Sequence, residues 1–131
     1  MSIQDLLYRR IRKYLKMHEY SITQQIVKIA EEKAKSHGAV KIERISLVVG
    51  ELSGFIGESI QMYFDILSKG TLAEGAILDI TYIKPQLKCS KCSTYFYRKR
   101  FSFECPQCGG MGMPTQIGKE FYVKDIDIYV G

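Results

Sequence analysis

No apolar run in these 131 residues approaches the ~20 needed to cross a bilayer. The first residues also lack the apolar core of a secretory signal. Both absences point to the cytoplasm, where cysteines stay reduced. No membrane association is expected. The chain has no G-x4-G-K-[ST] phosphate loop, no evident nucleophile–base pair and no paired catalytic carboxylates, so an enzyme is not expected. There is no low-complexity stretch, and no internal repeat beyond one pair of short cysteine motifs. Histidine is scarce, with only His18 and His37.

What is present describes a small globular protein. Hydrophobic residues make up 46% and charged residues 25%, as in soluble domains. The length suits one ordinary domain, or a small domain with a module that cannot fold alone. The net charge of +5 is uneven. Residues 1–16 hold five basic and one acidic side chain, and residues 84–110 hold six and one. Residues 17–83 are net acidic.

Four cysteines form two C-x2-C pairs, Cys89/Cys92 and Cys105/Cys108, with twelve residues between Cys92 and Cys105. Two such pairs can place four thiolates on the corners of one tetrahedron, a closed structural zinc site. Gly109 and Gly110 permit a tight turn that brings backbone close to a metal-bound sulfur. Two disulfides are the alternative, which the lack of secretory features opposes. A redox C-x-x-C would open a helix in a βαβ pattern, and neither pair does.

The basic residues Lys88, Lys91, Arg98, Lys99 and Arg100 alternate here with Tyr95, Phe96, Tyr97, Phe101 and Phe103. One reading is a nucleic-acid-binding zinc ribbon whose rings stack on bases. The other is that the rings pack around the metal in a module with little other core, with the cations keeping it soluble.

Periodicity predicts an amphipathic helix over 3–15, carrying Ile3, Leu6, Leu7, Ile11, Tyr14 and Leu15 on one face. A second helix is expected over 20–36, with Ser21 as N-cap, Gly38 at C′, and Ile22, Ile26, Ile29, Ala30 and Ala34 on one side. Strands are expected at 40–49, 76–84 and 120–130, with a helix at about 57–68 packing Ile60, Tyr63, Phe64 and Leu67. The fold class is α/β (α+β): a small two-layer body of a three-stranded sheet with two helices, plus an inserted zinc-ribbon module. The expected division is a basic extension at 1–16, an α/β domain at 17–84 and 118–131, and a ribbon at 85–117.

Two histidines remain to be placed. His37 suits a helix C-terminus, where the dipole favours a cation. His18 lies in Met17-His18-Glu19, just before the first strong helical pattern. On composition alone it reads as a solvated residue at a helix entry.

In order, the chain offers Met17-His18-Glu19, the strand segment from Ile45 to Leu52, Gly70-Thr71, Glu74-Gly75-Ala76, Cys-x2-Cys, Cys-Pro-x-Cys-Gly-Gly and a closing strand. This ordered set, over residues 17–131, resembles the HypA family. Its members are nickel metallochaperones that help mature nickel-iron hydrogenases and, in some lineages, urease. The resemblance implies that Ni(II) is carried as cargo at the Met-His-Glu end and that Zn(II) is structural in the ribbon. It implies His18 as the imidazole ligand, with Glu19 and Met17 contributing through backbone nitrogens. An amine, adjacent amide nitrogens and an imidazole make a planar set that suits Ni(II). The implied partners are a maturation GTPase of the HypB type, the nickel-iron hydrogenase large subunit and, in some lineages, urease accessory proteins. Nucleic acid is not an expected partner.

Two features depart from the family pattern. The Met-His-Glu motif normally starts the chain, whereas sixteen residues precede it here. Either Met17 is the true start, or nickel takes a different set that includes His18. Residues 93–104 also lack the histidine that some relatives carry between the cysteine pairs.

Overall fold

The computed structural model describes the backbone of residues 3–131 and the side chains of residues 18–131. The amphipathic face expected over 3–15, and the Met17 side chain, lie outside the described side chains.

The first helix, α1, runs without interruption over Ile3–Ser36. This corrects the expectation of two helices and of Ser21 as an N-cap. No glycine or proline occurs before Gly38, so nothing in the backbone stops the helix between 15 and 20. The β-branched hydroxyl at Thr23 is accommodated inside it, donating to the Glu19 carbonyl at 2.6 Å. The C-terminus ends as expected. Gly38 takes φ +71°, its N–H reaches Lys35 O at 3.0 Å, and Ala39 N–H reaches back to Ala34 O at 3.0 Å.

Then follow β1 (Lys41–Gly50), α2 (Gly57–Leu67) and β2 (Ile77–Ile83). Three short strands come next, β3 (Leu87–Cys89), β4 (Tyr95–Phe96) and β5 (Gly112–Pro114), and then β6 (Phe121–Tyr129). One sheet has the order β2-β1-β6 and the other β4-β3-β5. β3 pairs antiparallel with both neighbours, Leu87 opposite Phe96 and Pro114. Among the described residues no helix is long and apolar enough to cross a membrane.

The chain divides into two compact units. The first comprises residues 1–47, 55–79 and 123–131. Its core takes Ile26, Val27, Ala30 and Ala34 from α1, Ile42, Ile45 and Leu47 from β1, and Ile60 and Phe64 from α2. Ile29, expected on the buried side, is 56% exposed. The buried stripe is instead Glu19, Thr23, Ile26, Val27, Ala30 and Ala34, spaced three and four apart along a helix longer than the one expected. Glu31 anchors α1 to the loop after α2, accepting the Leu72 N–H at 2.8 Å and the Lys35 ammonium at 3.1 Å.

The second unit comprises residues 48–54 and 80–122. One buried cluster in it is Leu87, Cys89, Phe96 and Cys105, and Val48 and Val49 are buried as well. Backbone contact holds the segments beneath it. Gly50 N–H donates to Glu120 O at 2.6 Å and Leu52 N–H to Gly118 O at 2.7 Å. A Cβ on Gly50 would strike the Gly118 carbonyl and sit 2.7 Å from Glu120 N, so only glycine fits.

Candidate metal centres

The four cysteines are brought together. Their Sγ atoms all lie within 4.8 Å of one another, and no disulfide joins them. Cys89 Sγ is 3.4 Å from Cys108 Sγ, and Cys92 Sγ is 3.7 Å from Cys105 Sγ. Sulfurs about 2.3 Å from a tetrahedral ion stand roughly 3.8 Å apart, so this spacing matches a four-thiolate site.

Each pair sits on a turn closed by backbone N–H groups, and the first turn aims two of them at sulfur. Lys91 and Cys92 N–H groups point at Cys89 Sγ, at 3.4 and 3.5 Å. In the second turn, Gly109 N–H donates to Cys105 O at 2.9 Å and Cys105 N–H to Gly110 O at 2.8 Å. Gly109 takes φ +76°, and a Cβ on Gly110 would lie 2.9 Å from Cys89 Sγ. Gly110 is therefore required by the close approach of chain to sulfur, and Gly109 by its left-handed backbone.

These contacts set the thiol electrostatics. The Cys92 N–H lowers the Cys89 thiol, burial opposes it, and the Lys91 N–H helps. The Thr94 hydroxyl and N–H push Cys92 down to about 6. Cys108 receives the Gly110 N–H, which favours its thiolate. The neighbouring Cys89 and Cys92 sulfurs, burial and Cys105 outweigh that and raise it to about 11. Four thiolates cannot coexist here without a cation, and a cation would release the remaining protons. A tetrahedral sulfur set suits zinc or iron.

Sequence reasoning missed the polar clasp around Cys92. Its Sγ lies 3.2 Å from Thr94 Oγ1, which also stands 2.9 Å from Gln107 Oε1. The clasp spans the two cysteine turns, and residue spacing carries no sign of it.

His18 and Glu19 are neighbours on α1 but project differently. His18 is exposed and stacks on Phe55, with centroids 4.9 Å apart and planes at 17°. Glu19 is 2% exposed, and its Oε2 accepts the Ile56 N–H at 3.3 Å. The Glu19 carboxylate thus lies beside the N-terminus of α2, where the helix dipole favours an anion. Phe55 and Ile56 are 37 residues from His18 and Glu19, a separation at which pattern reading has no signal. Among the described residues, no third histidine, cysteine or carboxylate joins His18 in a metal cluster. Its backbone and that of Glu19 lie within a helix, where each N–H is directed at the carbonyl four residues before. His37 is elsewhere, at the end of α1, with Nδ1 3.0 Å from Lys33 O and 3.1 Å from Ser36 Oγ.

The aromatic–basic stretch divides. Phe96 is buried in the sulfur cluster, whereas Tyr95, Tyr97, Phe101 and Phe103 are exposed, Phe101 by 86%. Arg98 lies over the Phe103 ring at 4.2 Å, Arg100 over Phe101 at 5.0 Å and Lys88 over Tyr95 at 5.5 Å. The expectation that the rings pack around the metal holds for Phe96 alone.

The family model for hydrogenase/urease nickel incorporation, metallochaperone HypA, matches residues 17–128. The hydrogenase maturation factor HypA of Caldanaerobacter subterraneus is 42% identical over 113 residues, covering 86% of this chain and 99% of the relative. That of Geobacter sulfurreducens is 38% identical over 112 residues, with the same coverage. Among solved structures, a HypA protein in solution aligns with TM-score 0.66 at 30% identity, covering 88% of this chain and 98% of the other. The nickel metallochaperone HypA of Helicobacter pylori aligns with TM-score 0.58 at 29% identity, covering 86% and 98%. The cysteine cluster, the α+β architecture and the match from residue 17 onward agree, and the chain belongs to the HypA family of nickel-incorporation metallochaperones.

Proposed function

We propose that this chain is a cytoplasmic nickel carrier, not an enzyme, that binds Ni(II) at the His18 end of the first unit. It passes the metal, with a maturation GTPase of the HypB type, to the large subunit of a nickel-iron hydrogenase. The observation that carries the reading is the family match over residues 17–128, which begins at the Met17-His18-Glu19 motif. The exposure of His18 supports it, because cargo must enter and leave.

In this reading His18 supplies the imidazole and the backbone at Met17 and Glu19 supplies nitrogen donors. Amide nitrogens held in α1 must leave their helical hydrogen bonds and lose protons to bind a planar metal. Nickel loading is then coupled to local opening of the helix and favoured at higher pH. The Glu19 side chain has a separate task, which is to hold α2 against α1 through Ile56. Cys89, Cys92, Cys105 and Cys108 hold structural Zn(II), which suits their all-sulfur, closely spaced set better than nickel in a planar nitrogen geometry. The proposed division is an extension at 1–16, a nickel-binding domain at 17–84 and 118–131, and a zinc ribbon at 85–117.

Nickel titration of purified variants tests the site. His18→Ala should abolish specific nickel binding and leave the fold and cysteine-bound metal intact. His37→Ala should retain nickel and lose only about 0.3–1 kcal/mol of stability when its imidazole is charged. If His37→Ala removed nickel and His18→Ala kept it, the assignment would be wrong.

A further inference from the structure

The second unit contains a groove of about 720 Å3 that none of the metal chemistry uses. Its lining is mainly apolar, with Pro85, Leu87, Phe103 and Ile117 among its residues. Lys84, Arg98 and Lys119 stand around it, against one carboxylate, Glu51. Among the described residues none of these three cations makes an ion pair. Arg98 is held in place, stacked on Phe103 and donating from Nε to Ser102 O at 3.4 Å.

The walls are fixed by short bonds. Thr115 Oγ1 donates to Gln86 O at 2.6 Å and accepts the Ile117 N–H at 3.1 Å. Gly118, at φ +102°, lies so close to Pro85 that a Cβ would come within 2.8 Å of Pro85 Cα. A preformed apolar trough with unpaired cations on its margin loses little entropy on binding.

We propose that this groove docks an extended, acidic segment of a protein partner, with apolar side chains in the trough and carboxylates on Lys84, Arg98 and Lys119. The proposal rests on the reading of the chain as a carrier that hands its metal to another protein. Charge complementarity selects the occupant: three unpaired cations around a mainly apolar lining attract an anion that is also apolar. A peptide fits better than a nucleic acid. The lining holds two prolines and three aliphatic side chains, and of its two rings Phe103 already carries a guanidinium over its face, which leaves Tyr97 alone to stack on a base.

The test is an NMR titration of the full chain, as purified with its metal, using three probes. These are a short capped peptide alternating glutamate and leucine, its lysine–leucine counterpart, and an oligothymidylate of similar length. The glutamate peptide should shift the amides of Leu87, Phe103, Thr115 and Ile117 saturably, and the lysine peptide should not. The double variant Lys84→Glu/Lys119→Glu should bind the glutamate peptide roughly tenfold or more weakly. The neutral pair Lys84→Gln/Lys119→Gln should fall between. Nickel titration of both variants should match the parent, so failure of the groove is separable from failure of the nickel reading. No saturable shift with the glutamate peptide would overturn the proposal, as would shifts mapping outside the groove. So would undiminished affinity in the charge variants, or displacement of the peptide by oligothymidylate.

Discussion

At the scale of single residues, the cysteine cluster and the proposed His18 site differ in how much of each was legible. The gathering of the four cysteines follows from their spacing, because two C-x2-C turns suit one shared four-sulfur site. The environment of His18 does not follow from spacing, because Phe55 and Ile56 reach it only through the packing of two helices. Glycine roles were partly legible. Gly38 and Gly109–Gly110 follow a helix and a cysteine pair, whereas Gly50 shows its constraint only where two chain segments touch. Gly50→Ala should therefore destabilise the protein by about 1–3 kcal/mol or more, read as a shift in chemical-denaturation midpoint at unchanged slope. Glu31 gives a pH signature. The Leu72 N–H, and then Lys35, hold its carboxyl below the ordinary value. Its contribution to stability is complete above the unfolded pKa and disappears as pH falls through the lowered folded value. Glu31→Gln should lower stability at neutral pH and flatten the acid side of the stability–pH curve. An unchanged acid limb would mean that the Leu72 contact carries no ionic component.

At the scale of elements, strand and helix existence was readable because alternation and 3.6-residue periodicity survive in Ile45-x-Leu47-x-Val49 and in Ile60/Phe64. The break placed between two N-terminal helices was not real. Separate apolar faces suggested it, but a helix stops at a backbone signal, and none occurs before Gly38. The sheet β4-β3-β5 was not read as strands at all. Its members span two or three residues, too few for any period, and they are organised by the cysteine turns. That dependence makes a prediction. With so small a buried cluster, Cys105→Ala should release the bound metal and unfold residues 85–117 while helical circular dichroism stays largely intact. Cooperative loss of α1 and α2 along with the metal would contradict it.

At the scale of the whole molecule, the proposed function has the chain separate two metal tasks by ligand type. Thiolates that must lose protons together suit a metal that stays, and a lone exposed imidazole beside backbone nitrogens suits one that leaves. Proton competition acts on both. Cys108, which resists ionisation, makes apo-cluster loading weaken as pH falls, because its proton must be displaced. In the proposed function, carrier behaviour would reside in the first unit and structural metal in the second.

The most direct test of this division is X-ray absorption at the nickel and zinc edges of one sample loaded with a single equivalent of nickel. The zinc edge should report four sulfur neighbours at about 2.3 Å. The nickel edge should report nitrogen or oxygen neighbours without sulfur, and its signal should vanish in His18→Ala. Sulfur around nickel, or zinc displaced as nickel is added, would show that both metals compete for the four cysteines and that the separation of tasks is wrong.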